Sequence, residues 1–260
     1  MIVQAGIGTD YIGRFDLNID CDTNSIDSYK WQLIPIDKQH CSEDTAISDI
    51  IYTYKSRTDE KYGRILTHLD RALTHPRREE ETEVGNLFTD IFADNFNVDL
   101  AIVGSGSIRQ PLFGPIVTLQ NLIEMYPYVG KMYKLELNGE QIKRFFTYIC
   151  RDEMYAGHTE FYQISKGWHF VYDYNSKKLL EVTFNGQDVK DEQVYTISLP
   201  EYHYNNLEDF LGISTDEVAN YGHNRVLCTD DQGVLIETLT NSLNLNAKLE
   251  DRIVILNWPE

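Results

Sequence analysis

A short strand that is apolar at nearly every position constrains this chain more than any other feature. Residues 99–103, Asp-Leu-Ala-Ile-Val, show no alternation between apolar and polar side chains after the first residue. Such a strand is typically buried on both faces, as at the centre of a sheet covered by helices. It runs directly into the loop Gly104-Ser105-Gly106-Ser107-Ile108-Arg109. The sequence therefore predicts a central strand that ends in a loop of small residues.

Three segments have apolar residues at helical spacing. Ser42 and the acids after it predict the start of a helix that runs to about residue 61. A second helix is predicted over 83–95 and a third over 140–151, each with one apolar face.

Alternating apolar and polar residues predict strands around these helices. Residues 11–19 and 28–35 alternate on either side of the turn-rich stretch 20–25, which predicts a hairpin. Further strands are predicted over 131–137, 194–199 and 252–256. The mixed order of elements predicts an α+β fold with mixed α/β layers.

The charge balance excludes some classes of function. The chain has 260 residues, with 41 acidic against 23 basic side chains and a formal net charge of −18. This surplus argues against binding of nucleic acid or of an anionic membrane surface. No stretch approaches the roughly 20 apolar residues that span a bilayer, and the first residues do not have the pattern of a signal peptide.

Cysteine and histidine spacing gives no local metal signature. The four cysteines form no CxxC pair, and the seven histidines form no HxH, HxxxH or HExxH motif. Two interpretations of the cysteines stay open: a Cys21–Cys41 disulfide, or four unpaired thiols. We therefore expect neither a metal site nor a cofactor site in this chain.

Two segments could bind a ligand. The loop 104–109 offers backbone N–H groups to an anion and the forked guanidinium of Arg109, although the residues by themselves favour a tight turn with a surface arginine. Aromatic residues in two predicted loops, 126–128 and 201–204, could stack a flat ligand, or could simply cap the edge of the core.

Several motifs in order resemble the 5'-nucleotidase family. Residues 83–90, EVGNLFTD, resemble its E-x-G-N-L-x-x-D helix opening, and 99–109 is similar to its strand and N-G-G-G-I-R loop. Residues 126–130 resemble its L-P-F-G-N segment, and 135–142 its strand–turn–helix. The first strands resemble the end of the family's metallophosphatase domain. The resemblance covers residues 2 to about 256.

The resemblance implies a division into three parts. Residues 1–41 would be the last strands of the metallophosphatase domain, 42–62 the interdomain linker helix, and 63–260 the substrate-binding C-terminal domain. The abrupt start inside a β segment suggests a piece of a larger protein. In the family two divalent metal ions in the N-terminal domain perform hydrolysis. We therefore expect the parent to be a nucleotide phosphoesterase of the periplasm or cell surface, and this chain alone to be inactive.

The resemblance also assigns substrate-binding residues. Arg109 matches the loop arginine that contacts phosphate, and Arg78 matches a second, less securely placed arginine. Tyr128 and Tyr202 fall where the family has two phenylalanines that sandwich the base. The expected ligand is a nucleotide or nucleoside, and the expected protein partner is the chain's own N-terminal domain.

Two departures from the family pattern put the ligand in question. Gly104 stands where the family has an asparagine that hydrogen-bonds the base or sugar region. The loop N-x-G-G-D-G-F appears here as residues 205–210, NNLEDF, so that Glu208 replaces the ribose-binding aspartate, or Asp209 does if the register shifts by one. Two alternative functions stay open: a divergent non-catalytic module that binds another ligand or a partner protein, and a relative that acts on a sulfur-containing substrate.

Overall fold

The chain divides into two units, Met1–Asp59 and Glu60–Glu260, in the computed structural model. The structure describes residues 2–6, 8–155, 160–219, 224–242 and 245–258. Two of the seven histidines, His158 and His223, lie outside these described residues. The three-part division at residues 41 and 62 stays a prediction.

The first unit contains the expected hairpin and the start of the expected helix. Strand β1 (Tyr11–Asp20) pairs antiparallel with β2 (Ser25–Pro35). At the turn, the Asp20 carboxylate accepts a hydrogen bond from the backbone N–H of Asp22 at 2.8 Å. Helix α1 (Thr45–Tyr62) begins after Asp44, whose carboxylate accepts from the N–H of Ala46 at 3.0 Å. Such a cap satisfies an N–H that has no partner within the helix.

The second unit carries the remaining elements. In chain order they are β3 (Ile65–His68), β4 (Leu73–Thr74), α2 (Glu83–Phe96), β5 (Leu100–Gly104), β6 (Leu112–Phe113), β7 (Ile116–Thr118), α3 (Leu119–Met125), β8 (Met132–Asn138), α4 (Gly139–Ile149), α5 (Asp152–Tyr155), β9 (Tyr162–Ile164), β10 (Trp168–Asp173), β11 (Lys178–Phe184), β12 (Gln187–Asp188), β13 (Val194–Pro200), α6 (Glu201–Tyr204), α7 (Leu207–Leu211), α8 (Thr215–Ala219), β14 (Arg225–Cys228), α9 (Asp231–Asn241) and β15 (Ile253–Leu256).

The central sheet of this unit has five strands in the order β14-β8-β13-β5-β9. Strands β13 and β5 are parallel, and every other neighbouring pair in this sheet is antiparallel. A second sheet, in the order β12-β11-β10-β15, contacts α4 through β11. Mixed strands and helices in layers confirm the predicted α+β class.

The apolar strand β5 is central and buried on both faces, as predicted. Leu100 and Ile102 pack into one core together with residues of α4 and β10, whereas Ala101 and Val103 pack into another with residues of α2 and α9. Because successive side chains of a strand point to opposite faces, a strand between two cores must be apolar at every position.

The strand directions bring five chain segments to one edge of the central sheet. The parallel pair places the carboxyl ends of β5 and β13 together. In the antiparallel pairs, Met132 at the start of β8 lies opposite Pro200 and Cys228, the last residues of β13 and β14. At the start of β9, Tyr162 lies opposite Gly104. The loops attached to all five strands therefore meet at this edge.

The described ranges contain no helix that is both long and apolar enough to cross a bilayer. Over the same part of the chain, no three His, Cys, Asp or Glu side chains are grouped so that they could hold a metal ion. All four cysteines are unpaired thiols, which favours that alternative over a Cys21–Cys41 disulfide.

Candidate functional site

A cleft of about 610 Å³ lies at the edge of the central sheet where the five segments meet. Its size is within the range of small-molecule sites, roughly 300–1,000 Å³. The carboxyl ends of adjacent parallel strands are a common place for ligands in such sheets. The cleft is lined by Ser107, Tyr126, Tyr128, Val129, Gly130, Glu160, Pro200, Glu201, Tyr202, His203, Asn205 and Asp231.

Two tyrosines expose their rings in this cleft. Tyr128, on the segment before β8, is 53% exposed, and Tyr202, on α6, is 63% exposed. The Tyr202 ring is supported from behind by Phe210, whose centroid is 5.4 Å away. Residues 201–204, expected from the sequence to be a loop, form the short helix α6. Exposed aromatic rings on a cleft wall are available to stack against a flat ligand.

His203, on α6, lines the cleft next to Tyr202, with the two ring centroids 5.4 Å apart. It is buried, and its Nδ1 shares a hydrogen bond of 2.7 Å with the hydroxyl of Tyr162. Burial lowers the pKa of His203 to about 4, so its imidazole is neutral at pH 7. Its Nε2 has no hydrogen-bond partner among the described residues, which leaves that atom available to a ligand in the cleft.

Glu160, just before β9, also lines the cleft. One carboxylate oxygen accepts a hydrogen bond of 2.7 Å from the backbone N–H of Gly106, in the small-residue loop after β5. The Arg78 guanidinium lies 3.3 Å from the same carboxylate, which is 14% exposed. Burial raises the pKa of Glu160, and the Gly106 and Arg78 contacts oppose that shift. The small-residue loop thus already holds an anion, and that anion belongs to the chain.

Gly104 has to be a glycine because the side chains of His203 and Glu160 both come close to its Cα. A Cβ at this position would stand 2.8 Å from Nε2 of His203 and 3.0 Å from Cγ of Glu160. A side chain here would displace the histidine, the glutamate or both. The glycine thus makes room for His203 and Glu160 at the end of β5.

Asp231 fixes the segment that carries Tyr128. Its carboxylate accepts hydrogen bonds from the Tyr126 hydroxyl at 2.9 Å and from the N–H of Gly130 at 2.8 Å. The N–H of Asp231 in turn donates to the carbonyl of Gly130 at 3.0 Å. These bonds join α9 to the segment on both sides of Tyr128. The Tyr128 backbone is therefore held in place while its ring stays exposed.

A buried hydrogen-bond network centred on Gln163 holds the loop 104–109 in place. The Gln163 amide accepts from the N–H of Thr82 at 2.9 Å and donates to Oγ of Ser105 at 2.7 Å and to the carbonyl of Glu80 at 2.8 Å. Thr82 also caps α2, since its hydroxyl accepts from the N–H of Gly85 at 3.1 Å. The network ties the charged segment that carries Arg78, the start of α2 and the loop into one unit.

The other three predicted ligand residues, Arg78, Arg109 and Glu208, lie outside the cleft lining. Nη1 of Arg109 donates to the carbonyl of Gly106 at 3.0 Å, and the side chain is exposed. Glu208 is exposed on α7, and the cleft is lined instead by Asn205 from the same stretch. The structure thus brings Tyr128 and Tyr202 into one cleft and pairs Arg78 with Glu160. The ligand roles of all five residues stay predictions.

Comparison with known protein families decides the family of this chain. The family model described as the 5'-nucleotidase C-terminal domain matches residues 61–212. This match covers more than half of the chain. The chain belongs to the 5'-nucleotidase C-terminal domain family. The resemblance noted in the sequence is thereby confirmed, and the fold class with it.

Individual relatives are distant and longer than this chain. It is similar to the endonuclease YhcR of Bacillus subtilis, with 22% identity over 91% of this chain and 19% of the relative. The snake venom 5'-nucleotidase of Naja atra is 26% identical over 68% of this chain and 36% of the relative. The crystal structure of a 5'-nucleotidase precursor from Thermus thermophilus superposes with a TM-score of 0.74 and 18% identity, covering 96% of this chain and 50% of that one. The chain therefore spans half or less of the length of these relatives.

The sequence singled out neither Glu160 nor Asp231 in this family domain. Glu160 precedes β9, a three-residue strand over which no strand was predicted. The run Phe161-Tyr162-Gln163-Ile164, rich in aromatic and β-branched residues, is the signal that could have indicated it. Asp231 follows an acid at the start of α9, where acids are expected for helix capping alone.

Proposed function

We propose that the cleft binds the nucleoside part of a nucleotide. The observation that carries this proposal is that Tyr128 and Tyr202, from distant parts of the chain, expose their rings in the same cleft. Stacking of a base on an aromatic ring contributes roughly 1–3 kcal/mol. The family match supports a base as the flat group to be stacked.

Polar groups in the cleft suit the hydrogen-bonding edge of such a ligand. Neutral His203 lines the cleft with an Nε2 that has no hydrogen-bond partner among the described residues. Asn205, which carries an amide, lines it as well, together with Tyr128 and Tyr202. Small-molecule sites typically combine an apolar wall with a few such polar groups that fix orientation. The family has a hydrogen-bonding asparagine at the position of Gly104. In this chain His203, next to Gly104, supplies a hydrogen-bonding group in its place.

We further propose that the chain is the substrate-binding part of a larger phosphoesterase. In this view hydrolysis takes place on two divalent metal ions held by a metallophosphatase domain outside the chain. The names of the relatives, which include 5'-nucleotidases, support a nucleotide as the substrate. Membership of the family supports a periplasmic or cell-surface location for the whole protein.

Calorimetric titration of the full chain with adenosine tests the nucleoside site. Tyr202→Ala is expected to weaken adenosine binding about 5- to 100-fold, because one stacked ring is lost, and Tyr128→Ala to do the same. Tyr202→Phe and Tyr128→Phe should restore most of the affinity, because phenylalanine also stacks. Tyr52→Ala, which removes a ring that is 72% exposed in the first unit, is the matched control.

One observation supports the alternative that the chain is a divergent module which binds another ligand. The stretch that replaces the family's glycine-containing loop forms α7, and its Glu208 lies away from the cleft. Adenosine binding that is unaffected by both alanine substitutions, or the absence of adenosine binding, would favour this alternative over the nucleoside site.

A further inference from the structure

The Glu160 carboxylate occupies a position in which the loop 104–109 could otherwise bind an external anion. Backbone N–H groups of a small-residue loop, together with an arginine, form the usual concave site for phosphate or carboxylate. Here the N–H of Gly106 and the Arg78 guanidinium both contact the Glu160 carboxylate. An incoming phosphate would have to displace this carboxylate or lie beside it.

We propose that Glu160 is a specificity-determining residue that excludes phosphate from the position formed by Gly106 and Arg78. Two negative groups cannot share this small space without strong repulsion, particularly because the carboxylate is largely shielded from water. The position is closely built around the Arg78–Glu160 pair: a Cβ on Gly106 would lie 2.1 Å from Nη2 of Arg78 and 2.7 Å from Oε2 of Glu160. The loop thus accommodates the side chain through its glycines.

The two arginines near the loop are therefore not equivalent. Arg78 is compensated by Glu160, whereas no carboxylate of the described residues lies within 4.0 Å of the Arg109 guanidinium. Arg109 instead donates to the carbonyl of Gly106, in the same loop. An anionic group on a ligand is expected to be met by Arg109, and Arg78 to serve as the counter-ion that holds Glu160 in place.

The substitution Glu160→Ala removes the carboxylate from the position formed by Gly106 and Arg78 and so tests whether Glu160 excludes phosphate. In the full chain, inorganic phosphate titrated by calorimetry should show no saturable binding that depends on Arg78. In Glu160→Ala a saturable phosphate site should appear, and Glu160→Ala combined with Arg78→Ala should abolish it. Glu192→Ala is the matched control, because it changes the net charge by one unit at an exposed carboxylate outside the cleft lining.

The same variants should change discrimination between ligands. The affinity for AMP relative to adenosine should rise about tenfold in Glu160→Ala, because a like charge is removed. Arg78→Ala alone should lower this ratio, because Glu160 then repels phosphate without its counter-ion. Glu160→Gln, which keeps the shape and removes the charge, serves as the second variant should the alanine form fold poorly, and the ratio should rise in it as well.

Phosphate binding of the same strength in the unsubstituted chain and in Glu160→Ala would overturn the inference. So would a gained phosphate site that persists without Arg78. The ligand preference rests on the proposed nucleoside site, but the phosphate titration does not. If adenosine and AMP fail to bind any form, the nucleoside site is wrong while phosphate binding still decides the role of Glu160.

Discussion

At the scale of single residues, the cleft is defined by how each polar group is held. Glu160 is held by Gly106 and Arg78, His203 by Tyr162, and Asp231 by a tyrosine and two backbone N–H groups. The two tyrosine rings by contrast are exposed. A fixed polar frame with exposed aromatic rings is the arrangement expected of a preformed binding site.

Arg109 is predicted to distinguish nucleotides from nucleosides. Arg109→Ala should weaken AMP binding about tenfold or more, because a charge-assisted contact with phosphate is lost, and should leave adenosine binding nearly unchanged. Calorimetric titration with both ligands measures the two effects in one series. Equal losses for AMP and adenosine would show that Arg109 does not contact phosphate.

Two buried histidines are predicted to make the stability of the second unit depend on pH. Burial lowers the pKa of His75 and of His203 from 6.5 to about 4. Between these values the unfolded chain binds a proton that the native state does not, so stability falls as the pH drops from about 6.5 to 4. Each histidine contributes a slope of up to about 1.4 kcal/mol per pH unit.

Urea unfolding at several pH values measures this slope. Glu160 and Asp231, whose pKa values are raised by burial, contribute slopes of opposite sign, so the comparison is between variants. His203→Gln should reduce the fall in stability between pH 6.5 and 4, whereas His68→Gln, at an exposed position, should not. Identical slopes in both variants and in the unsubstituted chain would contradict the prediction.

At the scale of elements, the start of α2 and the strand β9 meet at a close contact. A Cβ on Gly85 would lie 2.3 Å from Oε1 of Gln163, a fully buried side chain held by four hydrogen bonds. This contact gives a physical reason for glycine in the EVGN segment. It also links the helix to the loop that carries Gly106.

Gly85→Ala is predicted to destabilise the second unit by about 1–3 kcal/mol, because the new methyl group has no space and Gln163 cannot move without losing its partners. Chemical unfolding measures this loss. Gly186→Ala, with no atom within 4 Å of its added Cβ but a φ of +72°, separates backbone strain from crowding. The network would be unimportant if Gly85→Ala unfolded like the unsubstituted chain.

The elements with strong local patterns were predictable from the sequence. The helix expected over 83–95 is α2, Glu83–Phe96, and the apolar strand 99–103 is β5, Leu100–Gly104. The cleft was only partly predictable. Tyr128 and Tyr202 were found through the resemblance, but the place of Glu160 follows from the pairing of Tyr162 with Gly104. A three-residue strand has too little periodicity to reveal such a partner.

At the scale of the whole molecule, the second of the two units carries the fold of its family's C-terminal domain. The five strand ends of the central sheet supply the cleft, and the described residues include no group of side chains placed to bind a metal ion. The chain also spans only 19% and 36% of two of its relatives. The proposed division of labour between this chain and a metallophosphatase domain makes ligand binding and hydrolysis separable.

The chain alone is predicted not to hydrolyse AMP, with or without added Mg²⁺ or Mn²⁺, because the proposed metal ligands belong to another domain. A phosphate-release assay on the purified chain measures this directly, and a metallophosphoesterase assayed in the same buffers is the positive control. Turnover that follows this chain through successive purification steps would contradict the separation of binding from hydrolysis.

The central claim is that a nucleoside binds where the five strand ends meet. A crystal structure of the chain grown with adenosine, at a concentration that saturates binding in solution, tests it most directly. The account predicts the purine in the cleft, stacked on Tyr128 or Tyr202 and within hydrogen-bond distance of His203. A purine bound away from both tyrosines, or an empty cleft at saturating adenosine, would contradict it.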